Sequence, residues 1–285
     1  MTSTASPSVS VAPSAAPPIA QAAPTYKSTH VSAVLTAGGV RQWIDCQGSG
    51  PVTYLIITGL HSVSSDWDEV LPTLRKQTRT CTYDRPGLGR SPARTAGPYT
   101  VDAGIHANEL AALLKAAGEP GPFIPMGHSY GGLVARAFAA KQAAHVAGLF
   151  LPEGVAPGYY SEGTSWSEGG TSVDLIASSA AAEKNLNLGD KPLIVMSGTV
   201  SDQDYLNGGK NGTNGPVWEH DQREAVKLST NSIQVIALSA HVLQQDNPKA
   251  VELATKTLRD AVVARSRLNC SANWSAVNAE CRPGR

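Results

Sequence analysis

Gly127-His128-Ser129-Tyr130-Gly131 is the stretch whose reading decides the fold. Ahead of it, Phe123-Ile124-Pro125-Met126 is a short apolar run that reads as a buried strand. Behind it, Gly132 to Ala140 carries apolar residues at helical spacing. A serine at so tight a strand-to-helix turn must take a strained backbone conformation that lifts its hydroxyl above the sheet. Glycine two residues to either side removes the Cβ atoms that would collide with the neighbouring strand and helix. The spacing therefore marks Ser129 as a candidate nucleophile.

Strand and helix signals alternate outward from this turn, which argues for an α/β protein with a mostly parallel sheet covered on both faces. His30 to Thr36 and Val40 to Cys46 read as a hairpin around Ala37-Gly38-Gly39. Val52 to Ile57 is apolar almost throughout, as strands buried on both faces are. Ser65 or Asp66 is placed to cap a helix through Val70 to Lys76, and Thr80 to Tyr83 is the next strand. Asp102 to Ala117 reads as a helix ended by Gly118 and Pro120. Val146 to Leu151, Leu193 to Ser197 and Ile233 to Leu238 read as further strands. Helices are expected from about Val217 to Leu228 and from Pro248 to Arg265. Residues 155–190, rich in Gly, Ser and Ala, read as a lid with weak helical segments.

The 285 residues are enough for one large core, and 23 basic against 23 acidic residues leave no net field to attract nucleic acid. No apolar run reaches the length of a transmembrane span. Residues 1–27 are mostly Ala, Ser, Thr, Pro and Val and are expected to form a disordered linker. Linkers of this type follow the signals of exported proteins, so a secreted or cell-surface location is expected, with a cytoplasmic one as the alternative. Cys46, Cys81, Cys270 and Cys281 allow three pairings, and an even count favours two disulfides in an oxidising compartment. No Cys-x-x-Cys spacing is present, so no metal is expected.

A serine hydroxyl is a weak nucleophile at neutral pH and needs a base within reach and an acid to orient that base. His241 follows the last strand and precedes the last helix, at the edge where the elbow lies, whereas His220 falls inside a helix. His241 is therefore the expected base. His128 should point away from the hydroxyl and serve structure.

These pieces, together with Ile56-Ile57-Thr58-Gly59-Leu60 and Tyr83-Asp84-Arg85-Pro86-Gly87-Leu88-Gly89-Arg90-Ser91, make the chain resemble the serine hydrolases of the α/β-hydrolase fold superfamily, in their secreted actinobacterial form. The resemblance covers roughly residues 30–265. It implies a central sheet of about eight strands, a domain over 28–265 with its lid near 155–190, and a polar tail over 266–285. It further implies an oxyanion hole from the amides of Leu60 and Tyr130, although Thr58-Gly59 stands where the family has His-Gly and His61 is displaced beyond it. The acid is expected at Glu153, at the abrupt end of a strand, with Asp202 (or Asp204) as the alternative after the next one. Asp84-Arg85 is expected to form a turn network beneath the site. The fold's strand order would set Cys46 beside Cys81 and leave Cys270 for Cys281.

The expected activity is hydrolysis of a carboxylic ester, lactone or activated amide of small size, with no cofactor. An acyltransferase, an aminopeptidase-like enzyme using Glu162, Glu168 or Asp174 to hold an amine, and a ligand-binding relative with little turnover are the alternatives. Tyr159, Tyr160 and Trp166 are candidate pocket-wall residues.

Overall fold

The computed structural model describes residues 29–160, 165–199 and 216–284. The expected linker over 1–27, Glu162, Asp202 and Asp204 lie outside the described residues. Nine strands form the main sheet: β1 (Val31–Ala37), β2 (Val40–Gln47), β3 (Thr53–Ile57), β4 (Arg79–Tyr83), β6 (Phe123–Gly127), β7 (Leu149–Pro152), β10 (Leu193–Gly198), β11 (Ser232–Ala237) and β12 (Ala279–Pro283). Their order is β1-β2-β4-β3-β6-β7-β10-β11-β12. The six strands from β4 to β11 run parallel, while β1, β2 and β12 pair antiparallel.

Alternation along β3 explains its apolar sequence. Leu55 and Ile57 enter the core on one face, with α2 (Ala103–Ala116), α3 (Gly131–Lys141) and α4 (Leu175–Glu183). Tyr54 and Ile56 enter the core on the other, with α1 (Leu71–Gln77) and α7 (Pro248–Ala264). Helix ends follow local chemistry. The Asp102 carboxylate accepts from the Ile105 amide to start α2, and Asn247 does the same from Ala250 ahead of Pro248 in α7. Between them lie α5 (Pro216–Ala225) and the short α6 (Leu243–Asp246).

The sheet has nine strands, in keeping with the expected mostly parallel sheet of about eight, and within the polar tail β12 pairs with β11 and closes that edge. Two other expectations are corrected. The lid holds a hairpin, β8 (Ser165–Glu168) with β9 (Thr171–Asp174), before α4. Its turn is Gly169-Gly170, both at positive φ, a two-residue hairpin signal present in the sequence. With β5 (Thr100–Val101) this hairpin makes a second, three-stranded sheet. Finally, Asp66 does not start α1. It accepts from the Val63 amide and fixes a separate 3-10 turn at Ser64–Trp67.

The cysteines pair as the fold resemblance implied. Cys46 and Cys81 stand directly opposite on β2 and β4, with Cα atoms 4.1 Å apart, and Cys270 is bonded to Cys281 on β12. In the chain-entropy account a crosslink of this kind stabilises by about 2–4 kcal/mol. The double substitution Cys270→Ser/Cys281→Ser should lower unfolding free energy within that range and speed amide exchange along β11. Denaturant titration and hydrogen exchange measure both, and unchanged β11 protection would show that the bond does not hold the edge strand.

Candidate active site

Ser129 sits at φ 53°, in the left-handed region that a non-glycine residue enters only under constraint. The constraint is visible. A Cβ on Gly131 would run into the carbonyl oxygen of Ile57, and one on Gly132 would stand 2.8 Å from Cα of Gly154. The turn thus presses against β3 on one side and the loop after β7 on the other.

That second loop carries Glu153, itself at φ 48° and 1% exposed. Two backbone hydrogen bonds lace the loops together: the Ser129 amide donates to the Glu153 carbonyl at 3.1 Å, and the Val155 amide donates to the Ser129 carbonyl at 2.9 Å. The Glu153 carboxylate uses one oxygen to accept from the Gly198 amide at 2.6 Å and the other to meet Nδ1 of His241 at 3.1 Å. Glu153, the first of the two expected acids, lies beside His241, while Asp202 is outside the described residues. His241 lies on the loop between β11 and α6, as expected. Asp246 shapes that loop by accepting from the Ala240 amide at 3.0 Å and the Ser239 hydroxyl at 3.2 Å.

His128 is buried, and its Nε2 meets the His241 carbonyl oxygen at 2.8 Å. A carbonyl only accepts, so the proton sits on Nε2. Burial, with the nearby His241 adding to it, pushes the His128 pKa down to about 3. The ring is neutral and props the backbone of His241. His106 is held to about 3 as well, by burial and then by Arg85, and its Nδ1 faces the Tyr130 hydroxyl at 3.1 Å.

Tyr130 buries its side chain, so its backbone amide is what the elbow offers outward. Neither that amide nor the Leu60 amide has a hydrogen-bond acceptor among the described residues. Unengaged N–H groups at a nucleophile are what an oxyanion requires. The loop bearing Leu60 is held from below by Arg85, whose guanidinium donates to the carbonyls of Thr58, at 2.8 Å, and Gly59, at 2.5 Å. Arg85 also forms a two-pronged ion pair with Glu168, at 2.8 Å on each side. Glu168 in turn accepts from the amide of His61, a residue at φ 58°, at 2.7 Å. Burial alone would raise the Glu168 pKa, but Arg85 outweighs it and holds the carboxyl below its ordinary value.

Two of the three lid acids considered for holding an amine are engaged elsewhere, and Glu162 lies outside the described residues. Glu168 is buried against Arg85, and Asp174 caps α4 by accepting from the Ala177 amide at 2.9 Å. Asp84-Arg85 does form the expected turn network, with Asp84 accepting from the amides of Ser64 and Arg90. The aromatic wall differs in membership. Tyr159 stacks edge-on against Trp218 at 5.1 Å and Trp218 against His241 at 5.7 Å, while Trp166 is exposed beside His61. Trp218 on α5 was missed by sequence reading, because only the folded chain brings α5 to His241. Glu168 and Asp246 were misread or missed for the same reason.

Residues 54–170 match the family model described as alpha/beta hydrolase fold. The uncharacterized protein YqjL of Bacillus subtilis is 25% identical over 224 residues, 73% of this chain and 83% of its own length. Lipase LipV of Mycobacterium tuberculosis is 40% identical over a shorter stretch, 36% of this chain and 37% of the lipase. Among solved structures, a thermophilic esterase from Thermogutta terrifontis superposes with a TM-score of 0.60 at 18% identity, over 82% of this chain and 99% of the esterase. The epoxide hydrolase CorEH superposes at 0.56 and 17% identity, over 82% and 99%. The chain has the α/β-hydrolase fold. It is a hydrolase of that fold.

Two predictions follow from the buried charges. His106 and His128 bind protons in the unfolded chain below the ordinary value of 6.5 but in the folded one only near 3. Their neutral burial therefore costs nothing above pH 6.5, and stability falls as pH drops from there toward about 3. Denaturant titrations across that window should show a shallower fall in His106→Gln, and an unchanged slope would contradict the assignment. Glu168→Gln leaves Arg85 buried without its charge partner and should destabilise by about 3–5 kcal/mol. Thermal and denaturant unfolding read that loss.

Proposed function

We propose that the protein is a serine hydrolase acting on small carboxylic esters, with Ser129, His241 and Glu153 as its triad. The observation that carries this reading is the Glu153 carboxylate, buried at a strained turn laced to Ser129, with one oxygen on a backbone amide and the other on His241. A carboxylate in that position fixes the imidazole with Nδ1–H toward the acid and Nε2 as the proton acceptor. The Ser129 oxygen then attacks the ester carbonyl as its proton passes to His241. The developing oxyanion is met by the amides of Leu60 and Tyr130, each worth about 2.7–4 kcal/mol in such sites. His241 returns the proton to the leaving alcohol, and water resolves the acyl-enzyme by the same steps in reverse.

Trp218 and Tyr159 beside His241 support an apolar acyl or alcohol group in the substrate. The esterase and epoxide hydrolase similarities share one fold, so the choice of chemistry rests on the elbow residue. A serine there favours acyl transfer to water over opening an epoxide. The unengaged Leu60 amide weighs against a merely ligand-binding relative, despite Thr58-Gly59. The two disulfides support a secreted or cell-surface setting.

A fluorophosphonate probe should label the wild-type protein and leave Ser129→Ala unlabelled. On short-chain p-nitrophenyl esters, Glu153→Gln should lose about 10³–10⁴-fold in kcat with a smaller change in KM. Asp202→Asn should remain near wild type. The reverse pattern in the two acid variants would move the triad to Asp202, and an unlabelled wild-type protein would remove the enzyme reading.

A further inference from the structure

Four arginines of the described chain are at most 8% exposed, and three of them have their own carboxylate. Arg79 pairs with Glu119, Arg85 with Glu168 and Arg94 with Glu109. The fourth, Arg136 on α3, is 5% exposed, and its Nε and Nη2 have no hydrogen-bond partner. No carboxylate forms an ion pair with it among the described residues. An uncompensated buried guanidinium is among the costliest groups a core can hold, and a similarly shaped apolar side chain would fit there at less cost. Burial lowers the Arg136 pKa to about 10, while Glu183 and Asp221 from farther off act to raise it, so the side chain is charged at neutral pH.

Arg136 lines a cavity of about 280 Å³ between α3, the loop after Glu153, the end of α4, and α5. Ala156 and Pro157 contribute apolar wall, and Glu183, Asp221 and Glu224 complete its charged lining. Glu183 and Glu224 are exposed and Asp221 is half-buried, so the carboxylates lie toward solvent while the guanidinium lies deep. A plain anion would meet Arg136 but also three carboxylates. A plain cation would leave Arg136 unpaired. We propose that this pocket binds a small zwitterion of amino-acid size, its carboxylate on Arg136 and its ammonium group toward Glu183 and Asp221. A guanidinium donates to a carboxylate in two-pronged fashion, which suits Arg136 to that group. The site is separate from the Ser129 centre, yet it shares structure with it. Gln222 on α5 donates to the Gly154 carbonyl at 2.9 Å, next to Glu153, so a ligand bridging α5 and this loop would brace both.

Calorimetric titration and thermal unfolding of the full chain with glycine, L-alanine, acetate and methylammonium test the proposal. Glycine or L-alanine should bind saturably and raise Tm, with acetate and methylammonium at least about tenfold weaker, since each forfeits one charged contact. Arg136→Met should abolish binding while keeping or raising the stability of the unliganded protein. Asp221→Asn should weaken the amino acids but strengthen acetate. Three results would overturn the proposal. One is wild-type protein that binds none of the probes, a pocket holding water only. Another is amino-acid binding unchanged in Arg136→Met. The last is an Arg136→Met protein markedly less stable than wild type, which would make the arginine a packing element.

Discussion

The pair of backbone hydrogen bonds between the Ser129 turn and the Glu153 turn is the constraint on which the site depends. Each turn holds a non-glycine residue in the left-handed region, at a cost of order 1–3 kcal/mol that the surroundings must offset. Neither could hold that shape alone. Joined, they fix the spacing between a hydroxyl at the head of α3 and a carboxylate at the end of β7, and His241 has only to reach across. Gly131, Gly132 and Gly154 are small because these strands and turns meet with no room between them.

Around this pair the supports are layered outward from Ser129 and His241. His128 holds the backbone of His241, and Asp246 holds the loop that carries it. Arg85 and Glu168 hold the Thr58-to-His61 loop from beneath. The usual His-Gly of that loop is Thr58-Gly59 here, yet the Leu60 amide has no acceptor among the described residues: Arg85 holds the loop's carbonyls, and the Thr58 hydroxyl donates to the Ser62 carbonyl at 3.0 Å. Buried ionic groups of this kind add little net stability and much orientation.

What was legible in the sequence was local or periodic. The elbow, the alternating strands and helices, His241 after the last parallel strand, and Glu153 at a strand end all follow from neighbours in the chain. The residues that escaped were those whose roles arise across long separations. Glu168 read only as a candidate to hold an amine because Arg85, its partner, is far away in sequence. Trp218 lies in a segment that read only as a helix, and its place beside His241 depends on how α5 packs. The β8–β9 hairpin was readable from Gly169-Gly170 but was masked by a Ser- and Gly-rich setting that suggested weak helix. Strand β12 was missed because a short polar segment becomes a strand only when an unsatisfied edge is waiting for it.

That last strand gives the sheet two unlike borders. At one end β1 presents its outer hydrogen-bonding row with alternating half-burial, while at the other β12 shields β11 and is tethered through Cys281 to Cys270. Strand β11 is synthesised well before β12, so a nascent chain carries an open, apolar edge of Ile233, Val235 and Ala237 until the tail arrives. Edge-to-edge association is the hazard of that interval. Its length is set by how soon the tail is synthesised and oxidised, which makes the supply of oxidant during biogenesis a determinant of how much chain escapes aggregation.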